Sequence, residues 1–219
     1  AKGFSVALSG ECADELFGGY PWYHNSHLLH TDGFPWAHSL TLRRGIMHKS
    51  LEKLPMEAYA RDRFAETAEE TPVLKEEHEE ARRMRRMVYV NVKWFMANLL
   101  ERQDRMGMAS GLEIRAPFCD HRIAEYAWNI PWDMMNYGGM EKGILRLAMK
   151  GDLPQSVLER KKSPYPKTHH PEYVRRVSDV LRRLLDGDAP VAQLIDTAFV
   201  RMLLDNPGNI VCLLYTSDA

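Results

Sequence analysis

The stretch FSVALSGECADELFGG, at residues 4–19, places a short apolar run, a turn of small residues and an acidic segment directly after one another. The apolar run favours a buried strand in a parallel sheet, although so short a run also fits a core helix. The segment after the turn predicts a short helix that ends at Gly18 and Gly19. A strand that leads at once into a helix is typical of α/β folds, and we therefore expect a chain of this class.

Most of the remaining sequence favours helices. Two short helices are predicted between residues 40 and 63, with a break near Pro55. Further helices are predicted at residues 66–110, 121–130, 140–158 and 171–204, with Asp120 as the cap of the helix at 121–130. On the long tract the predicted core face consists of Val88, Val92, Phe95, Met96 and Leu99. Residues 21–36 predict a loop with aromatic packing anchors. A complete α/β domain has more strands than the one that is predicted here among so many helices. We therefore expect the chain to be part of a longer protein.

Charge and cysteine content argue against several classes of function. The 29 basic and 30 acidic residues give a net charge of −1, so no global field attracts nucleic acid or an anionic membrane. No apolar run approaches the roughly 18 residues that a membrane span needs. Cys12, Cys119 and Cys212 have no paired spacing, which predicts neither a disulfide framework nor a zinc site. We therefore expect a cytoplasmic protein without nucleic-acid or membrane partners.

The turn after the first strand is the first candidate site. Open α/β sheets bind ligands at the carboxyl ends of their strands, because backbone N–H groups and a helix N-terminus converge there. Ser9 and Gly10 let a ligand approach the backbone closely. Glu11 is a candidate general base or ribose contact, and Asp14 is a candidate Mg²⁺ ligand. The alternative is a helix start whose acidic residues favour the helix dipole.

A second candidate is the charged segment ERQDRMGMASGLEIRAPFCDHR, at residues 101–122. Arginines such as Arg102 and Arg115 suit forked recognition of a carboxylate or phosphate. The alternative is a lattice of surface salt bridges that contributes little to stability.

A third candidate is basic. Lys142 and Arg146 are spaced to lie on one helical face, and Arg160, Lys161, Lys162 and Lys167 follow. Two cations on one face could clamp a di- or triphosphate and stabilise a leaving pyrophosphate. The alternative is a solvated basic surface. The histidines at positions 24, 27 and 30 do not predict a metal site, because their spacing does not keep three ligands on one helical face.

Taken together, ALSGECADELFGGYPW, RQDRMGMASGLEIRAPFCDHR, MEKGILR and LPQSVLERKKSPYPKT resemble the synthetase domain of glutamine-dependent asparagine synthetases. The resemblance spans residues 4–204, and the order and number of blocks make it specific. It implies an ATP-pyrophosphatase α/β domain, a Rossmann-like fold, of which this chain holds a mostly helical part.

The resemblance also implies an activity. The side-chain carboxylate of aspartate attacks the α-phosphorus of ATP, Mg²⁺-pyrophosphate leaves, and ammonia attacks the β-aspartyl-adenylate to give asparagine and AMP. Ser9, Gly10 and Glu11 would lie against the adenylate, with Glu11 also taking a proton from ammonia. Asp14 matches a Mg²⁺-pyrophosphate position and Lys142 a pyrophosphate-neutralising lysine. The site-lining arginines of the family correspond to Arg102 and Arg115.

The chain departs from the family pattern in two respects. The turn reads SGEC where many members have SGEG or SGDG, so Cys12 places a side chain beside the nucleotide. The SGGxDS pyrophosphate-binding loop and the N-terminal glutaminase domain have no counterpart in these residues. We therefore expect half of one active site here, and a 219-residue polypeptide that by itself neither hydrolyses glutamine nor makes asparagine. A homodimer is left open.

Residues 212–219 read CLLYTSDA, which can be reverse-translated into a sequence that resembles a transposon-end sequencing adapter. We expect only residues 1–211 to be natural, as the C-terminal part of the synthetase domain. Two other functions stay open. One is a related adenylating amidotransferase that acts on another carboxylate, and the other is a non-catalytic helical interaction module.

Overall fold

The computed structural model describes residues 3–37, 40–162, 171–187 and 189–205. The predicted non-native tail at residues 212–219 lies outside this range, as does Lys167. Two strands are present in the described residues, β1 (Val6–Leu8) and β2 (Glu113–Arg115). The helices are α1 (Ala13–Leu16), α2 (Ser26–Leu29), α3 (Leu40–Ile46), α4 (Met56–Glu70), α5 (Glu79–Val90), α6 (Ala97–Ala109), α7 (His121–Trp128), α8 (Trp132–Met135), α9 (Gly143–Ala148), α10 (Gln155–Leu158), α11 (Pro171–Asp186) and α12 (Thr197–Asp205).

The chain forms two compact units. The first contains residues 1–32 and 64–162, and the second contains residues 33–63 and 163–219. The second unit has its core between α3, α11 and α12, where Leu185, Val200, Leu203 and Leu204 are buried. All candidate site residues that the structure describes lie in the first unit.

The small sheet of the first unit is parallel, as the sequence predicts. Val6 pairs with Glu113 and Leu8 with Arg115, so β1 and β2 end side by side at their carboxyl ends. The prediction that β1 is buried is wrong for this chain, because Leu8 is 77% exposed. In the described residues the sheet consists of two strands only. A sheet of two short strands leaves much of its own surface exposed.

Helix α1 follows the strand within five residues, as predicted. It packs Leu16 and Phe17 into a core with Ala127 and Met135, which anchors the helix below the strand ends. The chain leaves α1 through Gly18, whose φ of 66° lies in the left-handed region that favours glycine. The core therefore fixes the acidic face of α1 at the carboxyl edge of the sheet.

The long helical tract is confirmed from Glu79 to Ala109, but the prediction is wrong for residues 71–78, which are not helical. Pro72 lacks a backbone N–H and disfavours helical geometry in the residue before it, so α4 does not continue into α5. A π-helical segment at Asn91–Met96 joins α5 to α6. In α5 and the π-helical segment the buried side chains are those of Met84, Met87, Val90 and Asn91, whereas the five predicted core residues are only half-buried. From residue 91 onwards the i→i+5 pattern of the π-helix breaks the 3.6-residue period that the prediction assumes.

Other predicted elements are confirmed only in part. Asp120 accepts the backbone N–H of Arg122 at 2.9 Å and so caps α7. The predicted break near Pro55 is present, but α4 runs on to Glu70 and is not short. The loop predicted at residues 21–36 instead contains a 3-10 turn and α2, although its predicted aromatic anchors Trp22 and Tyr23 are buried. Among the residues described, every helix is too short or too polar to cross a lipid bilayer.

Candidate active site

The turn after β1 is held by its own hydrogen bonds. The Ser9 backbone N–H donates to the carbonyl of Arg115 at 2.8 Å, which ties the end of β1 to β2. The Ser9 hydroxyl accepts the backbone N–H of Glu11 at 3.2 Å. Apart from Gly10 itself and its two chain neighbours, no described heavy atom comes within 4 Å of the place where a β-carbon on Gly10 would lie. The turn therefore leaves open space beside its backbone, as a site for a ligand requires.

Asp14 is the centre of a charged cluster. Lys142 donates a hydrogen bond to its Oδ1, and Lys162 Nζ lies 3.0 Å from its Oδ2. All three side chains are only about one-fifth to one-quarter exposed. Lys142 directly precedes α9 and has a φ of 55°, a conformation uncommon for a residue with a side chain. One carboxylate is thus held between two ammonium groups.

Burial and charge act in opposite directions on this cluster. Burial raises the pKa of Asp14, but the hydrogen bonds and charges of Lys142 and Lys162 outweigh it, so the pKa falls below its usual value of 3.8. Burial lowers the pKa of Lys162, and the carboxylate of Asp14 partly opposes that change. Asp14 is therefore ionised at neutral pH.

A second buried acid, Glu15, directly follows Asp14 in the chain. Glu15 is 1% exposed and accepts a hydrogen bond from the Tyr20 hydroxyl at 2.7 Å. Burial raises the pKa of Glu15, and the bond from Tyr20 partly offsets this. Lys162 Nζ lies 3.7 Å from the centroid of the Tyr20 ring, within the range of a cation–π contact. Tyr20 therefore links the buried carboxylate to one of the two lysines.

Close packing also fixes the position of Asp14. A β-carbon on Gly19 would lie 2.6 Å from Asp14 Cγ and 2.9 Å from its Cα. Such distances cannot be accommodated without moving α1, so a glycine at position 19 is required for this arrangement.

Glu11 and Arg102 line one shallow pocket. Its volume is about 330 Å³, and the remaining lining comes from the end of α6 and the start of β2. These residues are Gln103, Met106, Gly107, Ser110, Leu112 and Ile114. The structure thus brings together an acid and an arginine that the sequence separates by about ninety residues, and it places a mixed polar and apolar wall around them.

Two predicted contributors point elsewhere. Arg115 pairs with Glu113 at 2.7 Å, and its side chain is 62% exposed. Arg146 donates to the carbonyls of Glu141 at 2.7 Å and Leu158 at 2.5 Å. The predicted two-cation face of Lys142 and Arg146 is therefore wrong, because Lys142 precedes α9 and helical spacing does not apply to it.

Lys162 takes the place predicted for Arg146. In the sequence, Lys162 is only one of several basic residues that follow Pro154. Lys161 and Lys162 are adjacent, and the sequence alone does not distinguish the exposed lysine from the one at Asp14. In the structure, the contacts of Lys162 with Asp14 and with the Tyr20 ring make the distinction.

The cysteine prediction needs a correction. Cys12 and Cys119 form a disulfide, and their Cα atoms are 5.6 Å apart. A separation of 107 residues conceals this pairing in the sequence. The two residues meet because each follows one of two paired parallel strands.

Asp14 can serve as a ligand for Mg²⁺ only together with other donors. Within the described residues, no three His, Cys, Asp or Glu side chains are grouped so that they could hold a metal ion. Mg²⁺ is usually bound by one or two carboxylates together with substrate phosphates and water. A single carboxylate flanked by lysines fits that arrangement, in which the ion arrives with phosphate groups, and does not fit a preformed protein cage.

Comparisons with known proteins agree on one family. A sequence model of the family described as Asparagine synthase matches residues 1–212. The chain is 47% identical over 210 residues to asparagine synthetase [glutamine-hydrolyzing] 3 of Bacillus subtilis, a match that covers 95% of this chain and 34% of that protein. It is 29% identical over 206 residues to asparagine synthetase [glutamine-hydrolyzing] 1 of the same organism, covering 75% of this chain and 31% of the relative.

A mammalian relative matches over a shorter range. The asparagine synthetase [glutamine-hydrolyzing] of Mus musculus is 40% identical over 67 residues, which cover 29% of this chain and 12% of the relative. The chain spans about a third of the length of the two bacterial relatives. The family match extends over nearly the whole sequence and includes every residue of the Asp14 cluster and of the pocket. The chain belongs to the asparagine synthase family.

Proposed function

We propose that this chain supplies one part of the synthetase site of a glutamine-dependent asparagine synthetase. In this reaction ATP activates aspartate, and ammonia from glutamine converts the product to asparagine. Residues 1–211 would be the C-terminal part of an ATP-pyrophosphatase-type α/β domain, completed by a glutaminase domain elsewhere in the protein. The family match, the parallel strand pair and the acidic turn at its carboxyl end support this assignment.

The observation that carries the proposal is the Asp14 cluster. In the first step an oxygen of the aspartate side chain forms a bond to the α-phosphorus of ATP, and the bond to pyrophosphate breaks. Lys142 and Lys162 are placed to donate to the departing pyrophosphate oxygens, where cations stabilise the charge that develops. Asp14 would be the carboxylate ligand of Mg²⁺, which when bound would neutralise further phosphate charge.

The turn and the pocket suit the remaining tasks. Ser9 and Gly10 leave room for the adenylate against the backbone. Glu11 can take a proton as ammonia forms its bond to the activated carbonyl carbon and AMP departs. Arg102 lines the same pocket and can hold a carboxylate of aspartate in a forked hydrogen bond. Arg115 stays a predicted site-lining residue, and it would have to leave Glu113 to reach a ligand.

The test is AMP release by the full-length enzyme that contains this chain, measured with ATP and a panel of carboxylic acids. We expect release that depends on aspartate and that yields asparagine when glutamine is present. Release with another carboxylic acid and indifference to aspartate would instead identify a related amidotransferase. An absence of AMP with every acid tested would favour a non-catalytic module.

A further inference from the structure

The disulfide joins the acidic turn of the candidate site to the turn that follows β2. Cys12 lies between Glu11 and Asp14, immediately before α1, and Cys119 ends the 3-10 turn Pro117–Cys119 that follows β2. Their Cα separation of 5.6 Å falls within the usual range for a disulfide. The bond is therefore the one covalent connection, within the described residues, between the acidic turn and its neighbour.

The backbone at Cys12 is held in an unfavourable conformation. Its φ of 76° lies in the left-handed region, which a residue with a β-carbon adopts only at a cost in free energy. The disulfide fixes the side chain that this backbone carries to Cys119. Once the bond is broken, Cys12 can relax towards more favourable dihedral angles, and Glu11 and the start of α1 would move with it.

The two cysteines differ in their exposure to solvent. Cys12 is 1% exposed, whereas Cys119 is only half-buried. Thiol–disulfide exchange requires an approach to one of the two sulfur atoms, and partly exposed disulfides are the ones that exchange readily. Residue exposure therefore favours Cys119 over Cys12 as the side from which a small thiol or disulfide would approach the pair.

We propose that Cys12 and Cys119 form a reversible thiol–disulfide switch that fixes the Glu11–Asp14 turn when oxidised and releases it when reduced. Low-molecular-weight disulfides such as oxidised glutathione are the oxidant, and the corresponding thiols are the reductant. The covalent chemistry stands independently of the proposed function, but the effect on catalysis rests on it.

Oxidation takes place in two exchanges. The sulfur of Cys119, having given its proton to solvent, attacks the small disulfide, forms a mixed disulfide and releases one small thiolate. The sulfur of Cys12, deprotonated in the same way, then attacks the Cys119 sulfur and displaces the second small thiolate. The pair of cysteines loses two electrons, and the small disulfide gains them as two thiols after protonation.

The first test follows the bond itself. The full-length enzyme that contains this chain is equilibrated at graded ratios of reduced to oxidised glutathione. Free thiols are then trapped by alkylation, and the labelling of Cys12 and Cys119 is measured by peptide mass spectrometry. We expect both thiols to disappear together as the ratio falls and to return with dithiothreitol.

Two outcomes of this titration would overturn the proposal. One is alkylation of both thiols at every ratio, and the other is a disulfide that no native-state reductant opens. A Cys119→Ser variant of the same enzyme is the matched control, and its Cys12 should form at most a mixed disulfide with glutathione.

The second test follows the turn. Amide hydrogen exchange at residues 9–17 is compared between the oxidised and reduced chain, and we expect it to be about tenfold slower in the oxidised chain. Equal exchange rates contradict the proposed locking. In the full-length enzyme we expect AMP to form about tenfold faster after oxidation, with no such difference in Cys119→Ser, because a fixed turn presents Glu11 and Asp14 in place.

The AMP measurement separates the two proposals. Equal AMP rates in the two redox states overturn the control of catalysis while leaving the aspartate-activating function intact. If neither form produces AMP, the proposed function is wrong, and the hydrogen-exchange comparison still decides whether the disulfide locks the turn.

Discussion

Lys162 Nζ lies 3.0 Å from Asp14 Oδ2, although 148 residues separate the two in the sequence. Lys142 approaches the other carboxylate oxygen from a third part of the chain. Buried ion pairs are costly to break, because the remaining charge is left without a partner in a poorly solvated place. An arrangement of two lysines on one acid therefore suggests that the cations serve a ligand as well as the fold.

Replacement of Lys162 by methionine should strongly reduce adenylation. The methionine keeps most of the apolar stem but removes the charge that would neutralise pyrophosphate. We expect AMP formation by the full-length enzyme to fall by about 100-fold or more. Lys161→Met is the matched control because Lys161 is exposed, and it should leave the rate within about twofold. Equal losses of AMP formation in the two variants would mean that the rate depends on the overall charge of the protein and not on the contact between Lys162 and Asp14.

Gly19→Ala tests whether the packing against Asp14 matters for activity. The added methyl group would lie 2.6 Å from Asp14 Cγ, so the carboxylate must move away from the lysines. We expect AMP formation to fall by about tenfold or more, since small misplacements of a binding group are costly. Gly33→Ala provides the control, because its added methyl group meets no described atom within 4 Å. An unchanged rate in Gly19→Ala would show that Asp14 is not held where the reaction needs it.

Tyr20→Phe should destabilise the chain without removing the ring beneath Lys162. The variant leaves the buried Glu15 carboxylate without the hydroxyl that donates to it at 2.7 Å. We expect the free energy of unfolding to fall by about 1–3 kcal/mol in urea denaturation of the chain. Tyr126→Phe, at a residue that is 72% exposed, should change it by less than about 0.5 kcal/mol. An equally small change in the free energy of unfolding of both variants would contradict this prediction.

The low pKa of Asp14 predicts a specific dependence of stability on pH. A carboxyl group whose pKa is depressed in the folded state contributes stability above its unfolded value, here 3.8, and this contribution is lost as the pH falls through the folded-state pKa. We expect the free energy of unfolding of the chain to fall, relative to that of Asp14→Asn, as the pH is lowered from 3.8 through the depressed pKa of Asp14. Urea denaturation at a series of pH values measures it. A difference that does not vary with pH would mean that the lysines do not lower the pKa.

The first half of the candidate site was predictable because its signals are local. A strand, small residues and acids within fifteen positions placed Glu11 and Asp14 at a strand end, and the structure has them there. Asp120 as a helix cap was predictable for the same reason, since capping joins residues two positions apart. These features depend on neighbours in the sequence, which periodicity and turn chemistry describe well.

The second half depends on contacts between distant segments. Lys162 could not be distinguished from Lys161, and Cys119 could not be assigned to Cys12, because only packing decides which side chain faces inward. The prediction that Lys142 and Arg146 share one helical face was wrong because of the backbone conformation of Lys142. Lys142 adopts a left-handed conformation before α9, so its side chain does not follow helical spacing.

The measurement that tests the account most directly is exchange of labelled pyrophosphate into ATP by the full-length enzyme. Exchange reports the reversible formation of an adenylate and needs neither glutamine nor ammonia. We predict exchange that requires aspartate, that persists in Lys161→Met and that is lost in Lys162→Met and Asp14→Asn. Exchange that proceeds without aspartate, or that survives removal of both Asp14 and Lys162, would contradict the claim that this cluster serves aspartate activation.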